Sequence, residues 1–446
     1  MTIKTNLLLV TIILLATGSQ VSGAARSLTI EDCIQLGLAN NTSLISSQAL
    51  VQGAEARRKE AIAARLPTLK LSGGYTRLSA VEPFVFVFPT QPPHAETLVP
   101  SIDNNYTARL SLQQPIFTGE RLPNTIKIAD KSLQATKNDY ARDRAQLIYQ
   151  IETSYWTLYK ALAAQTAIDH NVERMQVHLN DIQQRKNQGL TTQNDVLRVQ
   201  VQLSNAKLAQ IDARNGVQLA LTALNNLIGL ELDTEVEPTS NPVNQQSTAL
   251  VAESLSALIQ QALTDRPEVK AIGWRMRAAL DNVALARANL YPQIFATGNF
   301  YYSRPNQRIF PPTDKFSPSW DVGIQAIFNV WDWGLTAHQT AEAQAQLKQL
   351  NALLTQLQNG IELEVTQDYL SLHQASDRLV LADTVLAQAQ ENQRIANNGF
   401  KAGTILNSDL LDAEVNLLQA QFNQIQSQVN FELARSKLTK TLGIEQ

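Results

Sequence analysis

From about Thr118 to Lys186 the chain holds, past Gly119, no glycine, and its one proline there, Pro123, falls near the start. Apolar residues recur three and four apart, as at Ile148, Ile151, Tyr155, Leu158 and Leu162. This spacing predicts one continuous helix. At 1.5 Å per residue, a helix of about 68 residues is about 100 Å long. No ordinary globular core covers such a rod, so it has to lie against others in a coiled-coil manner. A counterpart runs from about Gly334 to Asn398. Shorter helices are expected from about Ile30 to Arg65 and from about Asp195 to Ile228, their summed length roughly matching the long one. Stacked end to end, they would make an interrupted second rod. Val196, Val199, Leu203 and Ala206 give it an apolar seam, copied by Leu410, Ala413, Leu417 and Ala420.

The counterparts arise from duplication. A shift of 225 places Ile34 on Ile259, Ala54 on Ala279, Pro67 on Pro292 and Gly73 on Gly298. A shift of 214 then places Tyr106 on Trp320, Tyr155 on Tyr369, Gly189 on Gly403, Asp195 on Asp409 and Gly229 on Gly443. The shift changes between Thr76 and Tyr106, so the first half carries a loop about 11 residues longer. A fixed internal period is read before anything else. We read a first repeat over 26–232, a linking segment over 233–250 and a second repeat over 251–446.

Each repeat also contains a strand pair, near 68–77 and 105–114, then near 293–302 and 319–328. Leu69, Leu71, Gly73 and Tyr75 alternate with Lys70, Ser72, Gly74 and Thr76, and the other three segments alternate likewise. Period two with one apolar face predicts strands. Two soluble hairpins, each with one buried face, would show the same alternation. The lengths are close to the 9–11 residues or so that a tilted strand needs to cross a bilayer. Aromatic residues stand toward one end (Tyr75, Tyr106, Phe300, Tyr302, Trp320) and toward the other (Phe117, Phe328, Trp331, Trp333), which suits the girdles of a membrane barrel and equally suits ordinary core aromatics. Four strands cannot close a barrel, and open edges are not tolerated in lipid. Two chains would supply eight strands and three would supply twelve.

The amino terminus fits export. Lys4 precedes the apolar run Leu7 to Leu15, and small residues follow at Val21 to Ala25, so 1–25 is expected to be a signal peptide. A formal charge of −3 lacks the basic footprint of a nucleic-acid binder. The single cysteine, Cys33, excludes an internal disulfide and is expected to be a partly buried helix residue. His94, His170, His178, His338 and His373 show no metal-ligand spacing, and no phosphate-cradling loop is present. His170 and His178, eight apart on the long helix, are expected at the surface. We therefore read no enzyme, no cofactor and no metal site. The Phe- and Pro-rich stretch from Ser79 to Ser101 is expected to be an extracellular loop.

The helix hairpins are expected to turn at Gly189 and Gly403, where glycine fits a left-handed helix end. Asn194-Asp195 and Ser408-Asp409 follow as helix caps. Asp409 and Asp412, three apart, share one helical face. That face is either simply solvated or, in a trimer, would stack the pair as two rings of carboxylates, which favour cations.

Several segments carry a family resemblance: LTIEDCIQLGLANN at Leu28–Asn41, ARLPTLKLSGGYT at Ala64–Thr76 and its copy ANLYPQIFATGNF at Ala288–Phe300. So do the strand-to-helix joints PIFTG at Pro115 and NVWDWG at Asn329, and GFKAGTILNSDLLDAE at Gly399–Glu414. Together, in order, they resemble the TolC-like outer membrane efflux proteins. The resemblance implies a mainly α fold with a β-barrel contribution: a homotrimer with one twelve-stranded barrel in outer-membrane lipid and a twelve-helix periplasmic tunnel. It implies a passive exit duct for small molecules or proteins, working with a periplasmic adaptor (membrane fusion) protein and an inner-membrane transporter. It places Asp409 and Asp412, with Asp195 nearby, at the closed periplasmic entrance. The family's tyrosine and arginine locks there are replaced by Phe400 and Ile405, which cannot make them, so the gate would be held by apolar contacts instead or be closed less firmly. A periplasmic coiled-coil adaptor or scaffold would need the same helices, but not four alternating strands with aromatic ends.

Overall fold

The computed structural model describes residues 26–242 and 253–444. The expected signal peptide and part of the linking segment lie outside them. The chain divides into two compact units, each assembled from three stretches of sequence. The division cuts across the duplication, because each long helix contributes to both.

The first unit comprises residues of 1–41, 148–247 and 374–433. It begins with β1 (Arg26–Leu28) and α1 (Ile30–Asn40). Thr29 caps α1 in a reciprocal box with Asp32. From Ile148 onward it holds α3 (Arg121–Asn187), then α4 (Gln193–Ile228) and β6 (Val236–Pro238). It closes with the latter part of α7 (Leu335–Ala402) and most of α8 (Asn407–Thr441). Ile151, Tyr155, Leu158, Leu224 and Ile228 are fully buried, as their helical spacing requires. The Tyr155 hydroxyl accepts from Ser240 N at 2.8 Å and donates to Leu28 O at 3.2 Å. That phenol ties α3 to the segments around β1 and β6, which pair in parallel. Cys33 is fully buried, and burial pushes its thiol up to about 12, so it is inert.

The second unit comprises 42–147, 248–373 and 434–446. It holds α2 (Thr42–Ala63), β2 (Thr68–Arg77), β3 (Phe84–Phe88), β4 (His94–Val99) and β5 (Asn104–Phe117). The second repeat adds α5 (Leu255–Asp265), α6 (Pro267–Arg287), β7 (Gln293–Arg304) and β8 (Ser317–Ile327). The four long strands form one antiparallel sheet in the order β2-β5-β7-β8.

Two expectations need correction. The helix expected over Ile30–Arg65 is two helices, broken at Asn41. Asn41 turns extended, and its side-chain amide donates to Leu227 O at 3.1 Å, satisfying a carbonyl at the end of α4. The stretch expected as a loop over Ser79–Ser101 contains the β3–β4 hairpin. In Phe84-Val85-Phe86-Val87-Phe88 both faces are apolar, so an apolar/polar alternation test passes over it.

Candidate functional site

Register places like residues together across the sheet. Leu71 faces Leu110, Leu110 faces Phe300, and Phe300 faces Trp320. On the same face Leu69, Leu112, Gly298 and Val322 form the next row on one side, with Ala296 and Ile324 beyond it, and Gly73, Ala108 and Tyr302 form the row on the other side. The result is one apolar face spanning all four strands. Leu71, Val322 and Ile324 are each at least 74% exposed. Monomeric soluble proteins rarely expose so large an apolar area. The opposite face is polar: Arg109 donates to Asn299 Oδ1 at 2.8 Å, and Asn299 donates to Asp321 Oδ1 at 2.7 Å. Among the described residues, β2 and β8 each leave one edge unpaired. Tyr75 and Tyr106 sit directly opposite, ring centroids 4.9 Å apart. Trp331 and Trp333, just past β8, are almost wholly exposed.

The helix hairpins of the first unit present the other expected residues. Gly189 and Gly403 have φ of +74° and +76°, the left-handed region that ends a helix on glycine. Below the turns lies an apolar cluster that includes Leu179, Ile182, Val196, Val199, Phe400 and Leu410, with Ile405 packed on it. Phe400 thus serves the core of its own chain. Its ring takes the Arg185 guanidinium at 4.5 Å and the edge of His178 at 5.0 Å.

The duplicated acids differ. Asp195 lies at the third position of α4 and is consumed by its cap. Its Oδ2 accepts from Thr192 Oγ1 at 2.6 Å, Thr191 Oγ1 at 2.9 Å and Thr192 N at 3.1 Å. The Thr192 hydroxyl, ahead of the other donors, holds its carboxyl below the usual range. In the second repeat Leu406 stands where Thr192 stands, so the capping hydroxyl is missing, and the Ser408 hydroxyl reaches Asp409 Oδ1 only at 3.4 Å. Asp409 accepts from Leu406 N at only 3.4 Å and remains exposed, as does Asp412. The Asp409 carboxylate is thus held more loosely than its Asp195 counterpart.

The sequence profile of the outer membrane efflux protein family matches residues 33–230 and 258–444. The chain belongs to this family. Among its members, the chain is 22% identical to the outer membrane efflux protein BepC of Brucella suis biovar 1, over 76% of this chain and 72% of that one. It is 25% identical to the alkaline protease secretion protein AprF of Pseudomonas aeruginosa, over 76% and 70%. Its fold matches the Campylobacter jejuni CmeC outer membrane channel with a TM-score of 0.77 at 16% identity, covering 93% of this chain and 85% of that one. The outer-membrane channel OprN matches with a TM-score of 0.76 at 19% identity, covering 93% and 89%.

His178, expected at the surface, is 7% exposed, whereas the His170 side chain is open to solvent. The stripe Met175, Leu179, Ile182 marks the buried side of α3, and His178 follows Met175 by three on that side. Glu414, not singled out from the sequence, is also buried; it accepts from Arg174 Nε and Gln393 Nε2, each at 2.7 Å. Among the described residues no cluster of metal-ligating side chains occurs.

Proposed function

We propose that three copies of this chain close a twelve-stranded barrel in the outer membrane and form the exit duct of a tripartite efflux or type I secretion system. The observation that carries this reading is the four-stranded sheet with two open edges and one exposed apolar face. An open edge in hydrocarbon leaves backbone groups unpaired at several kcal/mol each, so β2 and β8 have to pair with neighbouring copies. The polar face then lines water and the apolar face meets lipid, with Tyr75, Tyr106, Phe300 and Trp320 among the interfacial rings. Parity permits two or three copies; the family favours three. An adaptor or scaffold has no use for an exposed apolar sheet.

Relatives named for protease secretion and for toxin and drug export support an export role and point to no single cargo. Transport is passive, with energy supplied by an inner-membrane transporter joined through a periplasmic adaptor. Asp409 and Asp412 form carboxylate rings at the periplasmic entrance, while Phe400 and Ile405 supply apolar packing beneath them in place of polar locks. Purified protein is tested by heat-sensitive trimer migration in detergent gels and by conductance in planar bilayers. Discrete cation-preferring steps, weakened in an Asp409→Ala, Asp412→Ala variant, support both the duct and its carboxylates. An unchanged variant removes the carboxylates from the pore, and a monomer without conductance removes the duct.

A further inference from the structure

One buried ionisable ring at the hairpin turns has no part in the duct as described. His178 Nε2 lies 2.7 Å from Asn407 Oδ1. An amide oxygen only accepts, so Nε2 carries the proton and donates it. The amide's orientation has a second support, since Asn407 Nδ2 reaches the Asp195 carbonyl at 3.5 Å. Asn407 opens α8, two residues before Asp409. The ring therefore grips the end of the helix that carries both exposed aspartates.

We propose that His178 is a positioning residue and a pH-sensitive clamp: neutral, it holds the start of α8 against α3, and protonated, it releases it. This rests on the reading of Asp409 and Asp412 as the duct entrance. A cleft of about 260 Å³ lined in part by His178, Lys401 and Glu414 gives a proton a route to the ring.

The charges around the ring are mixed. On α3, Asp181 favours the imidazolium and Arg185 opposes it. On α8, Glu414 favours it but is already matched by Arg174. Glu173 of α3 and Lys401 of α7 face the same cleft, and Asp195 of α4 is held in its own cap. The Asn407 bond also favours the imidazolium, whose Nε2–H would still donate to it, but burial, the largest cause, outweighs both bond and acids and holds the His178 pKa below its ordinary 6.5. A released tip hydrates the ring and restores its ordinary affinity, so the released state takes up the proton first. The clamp is fully engaged above the ordinary histidine pKa and weakens as pH falls below it.

The test compares wild type with His178→Gln, whose amide still donates to Asn407 but gains no proton. Open probability is recorded in planar bilayers at about pH 7.5 and about pH 5.5, above the carboxylate range. Wild type rises severalfold, bounded by about tenfold per pH unit for one proton per chain, while the variant stays flat. Hydrogen–deuterium exchange over 399–412 is measured on both proteins at each pH, so that intrinsic exchange rates cancel between them. Protection lost in acid by wild type alone supports the clamp. Equal acid responses in the two proteins, or no response in wild type, overturn it. The exchange result stands even if the aspartate variant shows unaltered ion preference, in which case the entrance reading falls and the clamp does not.

Discussion

Removing Glu414 tests whether the helix hairpins are held by their buried ion pair. Glu414 Oε2 accepts from Arg174 Nε and Oε1 from Gln393 Nε2, so one carboxylate on α8 joins α3 and α7. Its side chain is 7% exposed and that of Arg174 27%. Arg174 Nη2 is buried without a hydrogen-bond partner, so the guanidinium relies on this carboxylate. Breaking one side of a fully buried pair costs about 3–5 kcal/mol, because the remaining charge is stranded. A quarter of Arg174 still reaches water, which lowers the expectation for Glu414→Ala to about 2–3 kcal/mol. Replacing both partners by methionine removes the stranded charge, so the double variant is expected to recover at least about 1.5 kcal/mol of that loss. Global unfolding of a membrane protein of two compact units is not two-state, so the assay is local: hydrogen exchange of peptides from 170–185 and 405–416, converted to opening free energies. A Glu414→Ala variant within about 0.5 kcal/mol of wild type, or a double variant whose losses simply add, refutes the reasoning.

On the sheet, Val322→Lys places a charge mid-strand on the apolar face, where a basic residue costs about 2–4 kcal/mol in a bilayer, and is expected to lower the urea concentration at which the protein still folds into lipid. Gln325→Lys, on the polar face of the same strand, is expected to leave that concentration unchanged; equal effects would exclude a lipid-facing side. Thr192→Ala removes the hydroxyl that caps α4 and is expected to cost about 1 kcal/mol, measured as faster exchange over 189–196. Because Asp195 is held below its ordinary pKa, its capping contribution is complete above that value and fades as pH falls through the lowered one. Protection of this turn is therefore expected to be equal at about pH 7 and about pH 5 and to drop only below about pH 4.

What could be read in advance depended on whether a residue's fate is set locally. The long strands were legible because period two assigns each side chain to a face before any partner is known, and Tyr75 opposite Tyr106 follows once the pair is aligned. The hairpin turns were legible because a left-handed residue ending a helix strongly favours glycine wherever the helices lie. The break at Asn41 was not, because the carbonyl it satisfies belongs to Leu227, far along the chain. His178 had a local signal in the stripe Met175, Leu179, Ile182, yet a polar residue beside an apolar stripe is buried only if a neighbour supplies an acceptor. That acceptor is Asn407, in the other repeat. The duplicated aspartates show the same dependence. Asp195 and Asp409 occupy equivalent positions, and the threonine or leucine three residues earlier decides whether the carboxylate closes a cap or stays exposed. The two repeats thus differ by one hydroxyl, and its loss at position 406 relative to position 192 leaves the Asp409 carboxylate exposed at the hairpin tip. If that loss is what made the entrance acidic, Leu406→Thr is expected to draw Asp409 back into its cap and weaken cation preference without removing a carboxylate. A Leu406→Thr duct with wild-type ion preference would show that Asp412 alone carries the selectivity.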